Sequence, residues 1–396
     1  MKKISVVTST RAEFGLLMPV IKQLKKYESD EFRVELIVTG THLKNEYGHT
    51  VDEIEKVGLV PDVLVEIPVE SRNAIDISHN QAITIEVFTK LFLEKKYDGV
   101  VVLGDRYEML AIAIAAGNTH TPIFHLCGGD TTEGAIDEWI RHSITKMSYL
   151  HFPTNEVSYK RVLQLGEEPQ RVFNYGSTSI DNILNNANMP KLEALESLGL
   201  TDCKYAICTY HPVTIEGSDI KELVDEFLEA IKAYPDIKFI VTKSNADQGG
   251  AEINKLLDEA NELIDNLHVY SSLGVVRYLS LMKYSEFVLG NSSSGIIETP
   301  SFKVPTVNIG DRQRGRLQSE SIINCGDDKD SICGAIDIAL SPKFRTVCDK
   351  VISPYGDGHA AEQIAKKIVE VVSSDTIDLK KKFYDINKHT TDLITN

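Results

Sequence analysis

Short, strongly apolar runs recur along the chain, and each breaks off at a polar residue before an amphipathic stretch begins. Ile4–Val7 leads to Arg11, Leu36–Val38 to His42, Val100–Leu103 to Asp105 and Ile123–Leu126 to Asp130. Further on, Tyr205–Cys208 leads to His211 and Phe287–Leu289 to Asn291. Apolar runs of this length predict buried strands, here at about 3–8, 32–39, 98–104, 121–126, 149–153 and 171–175. Helices are predicted between them, at about 13–27, 79–96, 106–117, 137–147 and 155–166. In the stretch 79–96, Ile83, Val87, Phe88, Leu91 and Phe92 fall close to the spacing of one buried helical face. Strands alternating with helices at this interval predict βαβ units and a parallel sheet.

Near 176–200 the pattern loosens into Gly176-Ser177-Thr178 and Asn185-Asn186-Ala187-Asn188-Met189-Pro190, which reads as an interdomain connection. A second series follows, with strands at about 204–210, 237–242, 267–270, 286–290, 304–309 and 321–325. Its helices are expected at about 219–233, 249–264, 274–284, 295–302 and 330–340, with a last one near 359–374. The fold class is α/β: two Rossmann-like doubly wound domains facing a cleft. Residues 1–175 form the first and 176–364 the second, and 365–396 are a C-terminal helix and tail expected to pack back on the first. Polar groups at the carboxyl ends of parallel strands lie where open α/β sheets bind ligands, so an enzyme acting on a polar, anionic ligand is expected.

Composition narrows this reading. A net charge of −16 over 396 residues excludes nonspecific nucleic-acid binding and adhesion to anionic membranes. An anionic substrate must then be held by a local basic site. The six cysteines show no C-x-x-C pair, so reduced thiols are expected. The apolar run after Met1-Lys2-Lys3 is too short for a secretory leader, and no stretch approaches a membrane span. A cytoplasmic protein is expected. Lys380-Lys381-Lys382 reads as a solvated helix face and Trp139 as a packing residue.

Several motifs carry chemistry. Gly290-Asn291-Ser292-Ser293-Ser294-Gly295 lies between a strand and a helix, where small residues admit a ligand to backbone N–H groups. It is a candidate diphosphate cradle, and Glu298, one turn on, could accept from ribose hydroxyls. Arg11 could clamp phosphate with its forked donors, as could Arg312 and Arg316 in the loop Asp311–Arg316. Asp105, Asp130 and Asp137 are candidate acids and bases, and Gly128-Gly129 permits a tight turn beside them. His211 faces the expected cleft. Gly356-Asp357-Gly358-His359-Ala360-Ala361 mimics a dinucleotide fingerprint but follows no strand, and it is set aside. No P-loop stands out, so a P-loop NTPase is not expected, and no metal-ligand spacing stands out either.

Taken in order, Thr10-Arg11-Ala12-Glu13, Thr39-Gly40-Thr41-His42, Gly104-Asp105-Arg106 and His125-x-x-Gly128-Gly129-Asp130 form one set. Ile140–Lys146, His211-Pro212-Val213-Thr214, Gly290–Gly295 and Gly310-Asp311-Arg312-Gln313 continue it. The set resembles the hydrolysing UDP-N-acetylglucosamine 2-epimerases of the NeuC type, which begin sialic-acid synthesis, over residues of about 3–365. The resemblance implies a GT-B-like fold and conversion of UDP-N-acetylglucosamine and water to N-acetylmannosamine and UDP. It implies elimination of UDP to 2-acetamidoglucal, then addition of water with reprotonation of C2 on the opposite face. It implies catalytic roles for Asp105, Asp130, Asp137 and His211. Substrate contacts are implied for Arg11, His42, Arg106, Gly176, Asn291, Ser292, Ser293, Ser294, Gly295, Glu298, Arg312 and Arg316. A homodimer is also implied, and no cofactor: no redox group is needed, since no hydride moves, and no metal is required. One departure stands out: some relatives carry glutamate two residues after the motif histidine, where this chain has Cys127. Either Asp130 takes over that role, or the acid–base assignment of those relatives does not transfer. Similar enzymes act on UDP-2,4-diacetamido-2,4,6-trideoxyglucose in legionaminic-acid synthesis, and a GT-B glycosyltransferase would share the fold.

Overall fold

The computed structural model describes the chain except for residues 46–48, 70–72, 132–136, 212–219, 244–249, 315 and 387–396. The chain divides into two compact units, Met1–Asn182 with Gly358–Asn396, and Ile183–Asp357. The expected motif residues Pro212–Thr214 and Gly315 lie outside the described residues.

The first unit is built on a six-stranded sheet of β1 (Lys2–Thr8), β2 (Phe32–Thr39), β3 (Val63–Val65), β4 (Gly99–Leu103), β5 (Ile123–Leu126) and β6 (Leu150–Phe152). Its order is β3-β2-β1-β4-β5-β6, and every pairing is parallel. The connecting helices are α1 (Arg11–Lys25), α2 (Val51–Lys56), α3 (Ala74–Lys95), α4 (Tyr107–Asn118), α5 (Asp137–Met147) and α6 (Glu156–Gln164). β4 is buried throughout and β1 is buried from Ile4 to Thr8, as strands covered by helices on both faces must be. One core layer packs Ile4, Val6 and Leu36 with Leu17 and Ile21 of α1, and the other packs Val7, Val100 and Val102 with Phe88 of α3 and Ile112 of α4. After α7 (Thr178–Asn186) and α8 (Lys191–Glu196) comes the second unit's own sheet.

That sheet comprises β7 (Tyr205–Thr209), β8 (Lys238–Thr242), β9 (Leu267–Tyr270), β10 (Phe287–Gly290), β11 (Thr306–Ile309) and β12 (Ile322–Cys325). Its order, β12-β11-β10-β7-β8-β9, is the same winding as in the first unit. Around it lie α9 (Ile220–Lys232), α10 (Gly250–Asn261), α11 (Val275–Tyr284), the short α12 (Ser293–Ile297), α13 (Lys329–Leu340) and α14 (Pro342–Lys350). The chain then returns as α15 (Ala360–Ser373), whose Ala361, Ile364, Ala365 and Ile368 complete the first unit's core. In each sheet the winding reverses between the first and fourth strands, at β1/β4 and β7/β10. A crevice opens at the carboxyl ends of such a pair.

The α/β doubly wound architecture is as read from the sequence, with differences in detail. Residues 171–175 do not form a strand. Pro169–Arg171 is a short 3-10 helix, and Val172 makes only an isolated bridge to His151. The sixth strand is instead β3, a three-residue edge strand with Leu64 58% exposed, too short to register as an apolar run. The loose stretch 176–200 contains α7 and α8, whose short amphipathic turns are interrupted by Pro190. The helix expected at 295–302 is α12 followed by a 3-10 turn at Thr299–Phe302, where Pro300 stops the α-helical ladder. Trp139 is 52% exposed, not packed. Lys380-Lys381-Lys382 is not helical, and Lys381 is drawn into a buried ion cluster. No helix of the described residues is long and apolar enough to cross a membrane.

Candidate active site

In the first unit, Asp105 follows β4 and Asp130 follows β5, and α5 brings an arginine to both. Arg141 is nearly buried, its side chain 5% exposed. Its Nη2 pairs with Asp105 Oδ2, and its Nη1 donates to the carbonyl of Asp130 at 2.9 Å. Glu138, one turn earlier, lies 3.7 Å from the same guanidinium. The Asp130 carboxylate accepts from the Ser158 hydroxyl and, at 3.4 Å, from Thr154 Oγ1. Asp137 opens α5, so it stands one turn before Arg141, within the i,i+4 reach of one helix face. Asp105 by its carboxylate and Asp130 by its backbone carbonyl are thus tied to α5, which Asp137 opens, while the Asp130 carboxylate itself is held from Ser158 of α6.

The floor is set by hydrogen bonds that leave little freedom. His125 Nε2 faces the Gly104 carbonyl at 2.9 Å, which can only accept, so Nε2 carries the proton and Nδ1 accepts from Thr145 Oγ1 at 3.2 Å. Burial pushes His125 down to about 3, so the ring is neutral, and it holds the residue before Asp105 in place. Gly129 has φ +86°, and a Cβ there would collide with the Ser158 carbonyl, so only glycine lets the β5 loop lie on α6. Cys127 also has a left-handed backbone, φ +62°. Burial, then the charges of Asp130 and Asp105, push its thiol well above the usual range. A thiol held protonated in this way is no base.

His42 follows β2 in a 3-10 turn and is fully buried between Thr8 Oγ1 at 3.0 Å and Thr50 Oγ1 at 2.7 Å. Desolvation pushes it down to about 4. Arg106 is forked onto the buried Glu108 at 3.2 and 2.9 Å. Arg11, at the first position of α1, pairs with Glu53 at 2.9 Å and is 73% exposed. Gly176 takes φ +90°, its N–H donating to Asn174 Oδ1 at 3.2 Å.

Sequence reasoning passed over Glu13. It closes a capping box with Thr10, and its Oε2 accepts from Ser9 N, Ser9 Oγ and Thr10 N at 2.9, 2.8 and 3.2 Å. Burial pushes its carboxyl up to about 7 against those donors, with Glu108 adding to the rise. The signal was the Thr10-x-x-Glu13 spacing. In the sequence Arg141 stands only as one residue of the Ile140–Lys146 motif, although its spacing from Asp137 puts it on the same helix face.

In the second unit, the loop after β10 is organised by Asn291. Its fully buried side chain accepts from His211 N at 2.7 Å and donates to His211 O at 2.9 Å, clipping the β10 end to the β7 end. Its own carbonyl takes Arg312 Nη1 at 3.0 Å and Gln313 Nε2 at 2.8 Å. Gly290, φ +134°, lies so close to Thr209 that a Cβ would strike the backbone. Ser292 caps α12 by accepting from Ser294 N, and Gly295 packs on Thr306, where a Cβ would come within 2.9 Å.

His211, Ser292 and Ser294 line an open cavity of about 340 Å³ together with Lys243, Ser272 and Tyr278. That volume suits a small-molecule site. Tyr278 donates to Ser294 Oγ at 3.1 Å, and Ser294 donates on to Glu298, whose carboxyl burial pushes up. Ser293 is the first residue of α12 beside this rim. Lys243 and Tyr278 were not anticipated. Lys243 ends β8 as the expected residues end their own strands. Arg316 lines a different cavity, at the ends of β11 and β12 beside Asn308 and Asn324. Among the described residues no group of three or more His, Cys, Asp or Glu could hold a metal ion.

A family model described as UDP-N-acetylglucosamine 2-epimerase matches residues 24–369. The polysialic acid biosynthesis protein P7 of Escherichia coli is 38% identical over 396 residues, covering 99% of each chain. The GDP/UDP-N,N'-diacetylbacillosamine 2-epimerase (hydrolyzing) of Campylobacter jejuni is 38% identical over 390 residues, covering 97% of this chain and 99% of that one. The crystal structure of UDP-GlcNAc 2-epimerase from Neisseria meningitidis bound to UDP-GlcNAc superimposes with a TM-score of 0.77 at 20% identity, covering 93% of this chain and 100% of that one. At that identity the likeness is one of fold.

Proposed function

This chain belongs to the UDP-N-acetylglucosamine 2-epimerase family, and we propose that it is a hydrolysing member converting UDP-N-acetylglucosamine and water to N-acetylmannosamine and UDP. The observation that carries the reading is one buried arginine that pairs with the Asp105 carboxylate and holds the Asp130 backbone, with Asp137 opening the helix that bears it.

C2–H of the sugar is a poor acid, since no carbonyl adjoins it. The C1–O bond must lead, its electrons leaving with UDP, while a carboxylate takes the C2 proton and 2-acetamidoglucal forms. Water then adds at C1, losing a proton to a carboxylate, and C2 is reprotonated on the opposite face. Carboxylates are suited to each of these transfers, and the protonated Cys127 is not. We assign the proton traffic to Asp105, Asp130 and Asp137. We assign the nucleotide to the second unit's cavity, where the Ser292–Gly295 loop, Lys243 and His211 would receive the diphosphate and stabilise its departure. Arg11, Arg106, Gly176, Glu298 and Arg312 complete the proposed substrate contacts, and a homodimer is the proposed assembly. His42, fully buried with both ring nitrogens taken by Thr8 and Thr50, braces those residues instead, and Arg316 lines a separate cavity.

A second substrate has specific support. The Campylobacter jejuni relative named for a diacetylbacillosamine nucleotide is as similar as the polysialic-acid protein. The same chemistry on UDP-2,4-diacetamido-2,4,6-trideoxyglucose would differ only in what the sugar pocket accepts at C4 and C6. NMR of each candidate incubated with the protein in D2O decides. The expected result is free N-acetylmannosamine and UDP, with deuterium at C2. Turnover of the diacetamido sugar alone would move the assignment to that substrate. Accumulation of a 2-epimer still bearing UDP would make the enzyme non-hydrolysing. No reaction without an added acceptor would favour a transferase.

A further inference from the structure

The helix that carries Asp137, Glu138 and Arg141 is held at its far end by the last described segment of the chain. Lys381 Nζ donates to the carbonyls of Lys146 and Ser148, at 2.9 and 2.7 Å, from more than two hundred residues away. These are carbonyls at the end of α5, left without partners within the helix and placed at its negative pole. The same ammonium lies 2.5 Å from Glu167 Oε2. Glu167 is fully buried and also takes Lys146 Nζ at 2.8 Å and faces His151 Nε2 at 2.9 Å. One acid therefore binds a lysine of α5 to a lysine of the C-terminal segment.

Cover is supplied by the same segment. The Phe383 ring lies under Lys146 Nζ at 4.6 Å and over Gly166, where any Cβ would collide with it. Tyr384 N donates to Gly166 O at 2.9 Å, and Arg171 Nη2 donates to Asp378 O at 3.3 Å. None of these groups touches the proposed chemistry, and a mere surface tail has no need of a buried carboxylate.

We propose that residues 378–384 are a strap that fixes the end of α5, making Lys381 and Glu167 positioning residues for the carboxylates at its other end; this rests on the proposed role of Asp105, Asp130 and Asp137 in proton transfer. The helix is short, about 16 Å, and rigid over that length, so a tilt allowed at Met147 is felt at Asp137 and Arg141. Displacements near 1 Å at reacting groups cost about 100-fold in rate, and a loosened but intact helix should cost less.

The test is Lys381→Met, which keeps the stem and removes the charge, alongside Phe383→Ala, which leaves all charges in place. Expected for Lys381→Met are faster hydrogen exchange in the last turn of α5 and a kcat lower by about 10-fold, with KM and the UDP dissociation constant unchanged. More 2-acetamidoglucal should escape per turnover, a readout that a simple loss of folded enzyme would not move. Phe383→Ala should shift each quantity the same way and by less. Wild-type kcat and wild-type glycal release in both folded variants would overturn the proposal, as would a lower kcat with α5 exchange unchanged. Should the wild-type protein turn over neither sugar, the functional reading fails. The exchange measurement then still decides whether the strap holds α5.

Discussion

Replacing Asp105 by asparagine separates chemistry from stability. The substitution keeps the shape and one hydrogen-bond acceptor but removes the charge facing Arg141, whose side chain is 5% exposed. Stripping one partner from a buried ion pair commonly costs about 3–5 kcal/mol. Here the loss is cushioned, because Glu138 stays 3.7 Å from the guanidinium and the Asp130 carbonyl still accepts from it at 2.9 Å. About 2 kcal/mol is the expected cost, a fall in Tm of roughly 4–8 °C for a unit of this size. Folded domains hold about 5–15 kcal/mol, so the variant remains folded at 25 °C. Loss of a carboxylate that moves protons lowers kcat by about 10²–10⁴-fold, which partial unfolding on that scale cannot imitate. The assay pairs UDP release in D2O with calorimetric UDP binding. Expected are a collapse in turnover and near-native UDP affinity. A variant that keeps more than about a tenth of wild-type kcat would refute a proton-transfer role for Asp105.

Three further substitutions test other parts of the structure. Glu13 is pushed up to about 7 by burial, so between about pH 4.5 and 7 the folded protein holds a proton that the unfolded chain has lost. That stability is present below pH 4.5 and gone above 7, and Glu13→Gln should abolish the limb. The variant should gain on wild type by up to about 3 kcal/mol between pH 4.5 and 8, read from urea midpoints, and a pH-independent difference would count against the burial argument. Asn291→Ala strips both backbone groups of His211 of their partners, at 2.7 and 2.9 Å, for a loss of about 2–4 kcal/mol. UDP affinity should fall at least about 10-fold by calorimetry, and unchanged affinity would show that the clip does not shape the cavity. Cys127→Ala should leave kcat within about twofold, under ~0.5 kcal/mol of barrier, and iodoacetamide at pH 8 should label Cys127 slowly. Rapid stoichiometric labelling at that position would contradict a thiol held protonated.

The strand ends were legible because apolar runs are local, and a parallel sheet gathers the residues just beyond each run along one edge. Asp105, Asp130, His211 and Asn291 were found in that way. What such residues touch was not legible, since partners come from other elements. Asn291 was read as a ligand contact, yet its side chain is committed to the backbone of His211. Arg141 was one more charge on an amphipathic helix until the fold set it between two strand ends. The edge strand β3 has only three residues between turns, too few to show a period. Lys381 sits in a run of three lysines whose plain reading is solvent, and its long-range contacts with Glu167 and with the carbonyls of Lys146 and Ser148 distinguish it. Local pattern carries the scaffold, and long-range pairing carries the electrostatics.

The return of the chain at Gly358 bears on biosynthesis. Ala361, Ile364, Ala365 and Ile368 belong to the core beneath β1, yet they are made after the whole of Ile183–Asp357. On a ribosome, the unit begun first cannot close its apolar layer until its last helix has emerged. The unit begun second has all its strands in hand by Cys325. Order of maturation therefore runs against order of synthesis. The early-made sheet waits with one face covered only in part, by α1, and a nascent chain stalled short of α15 would be a substrate for chaperones even with its other half complete.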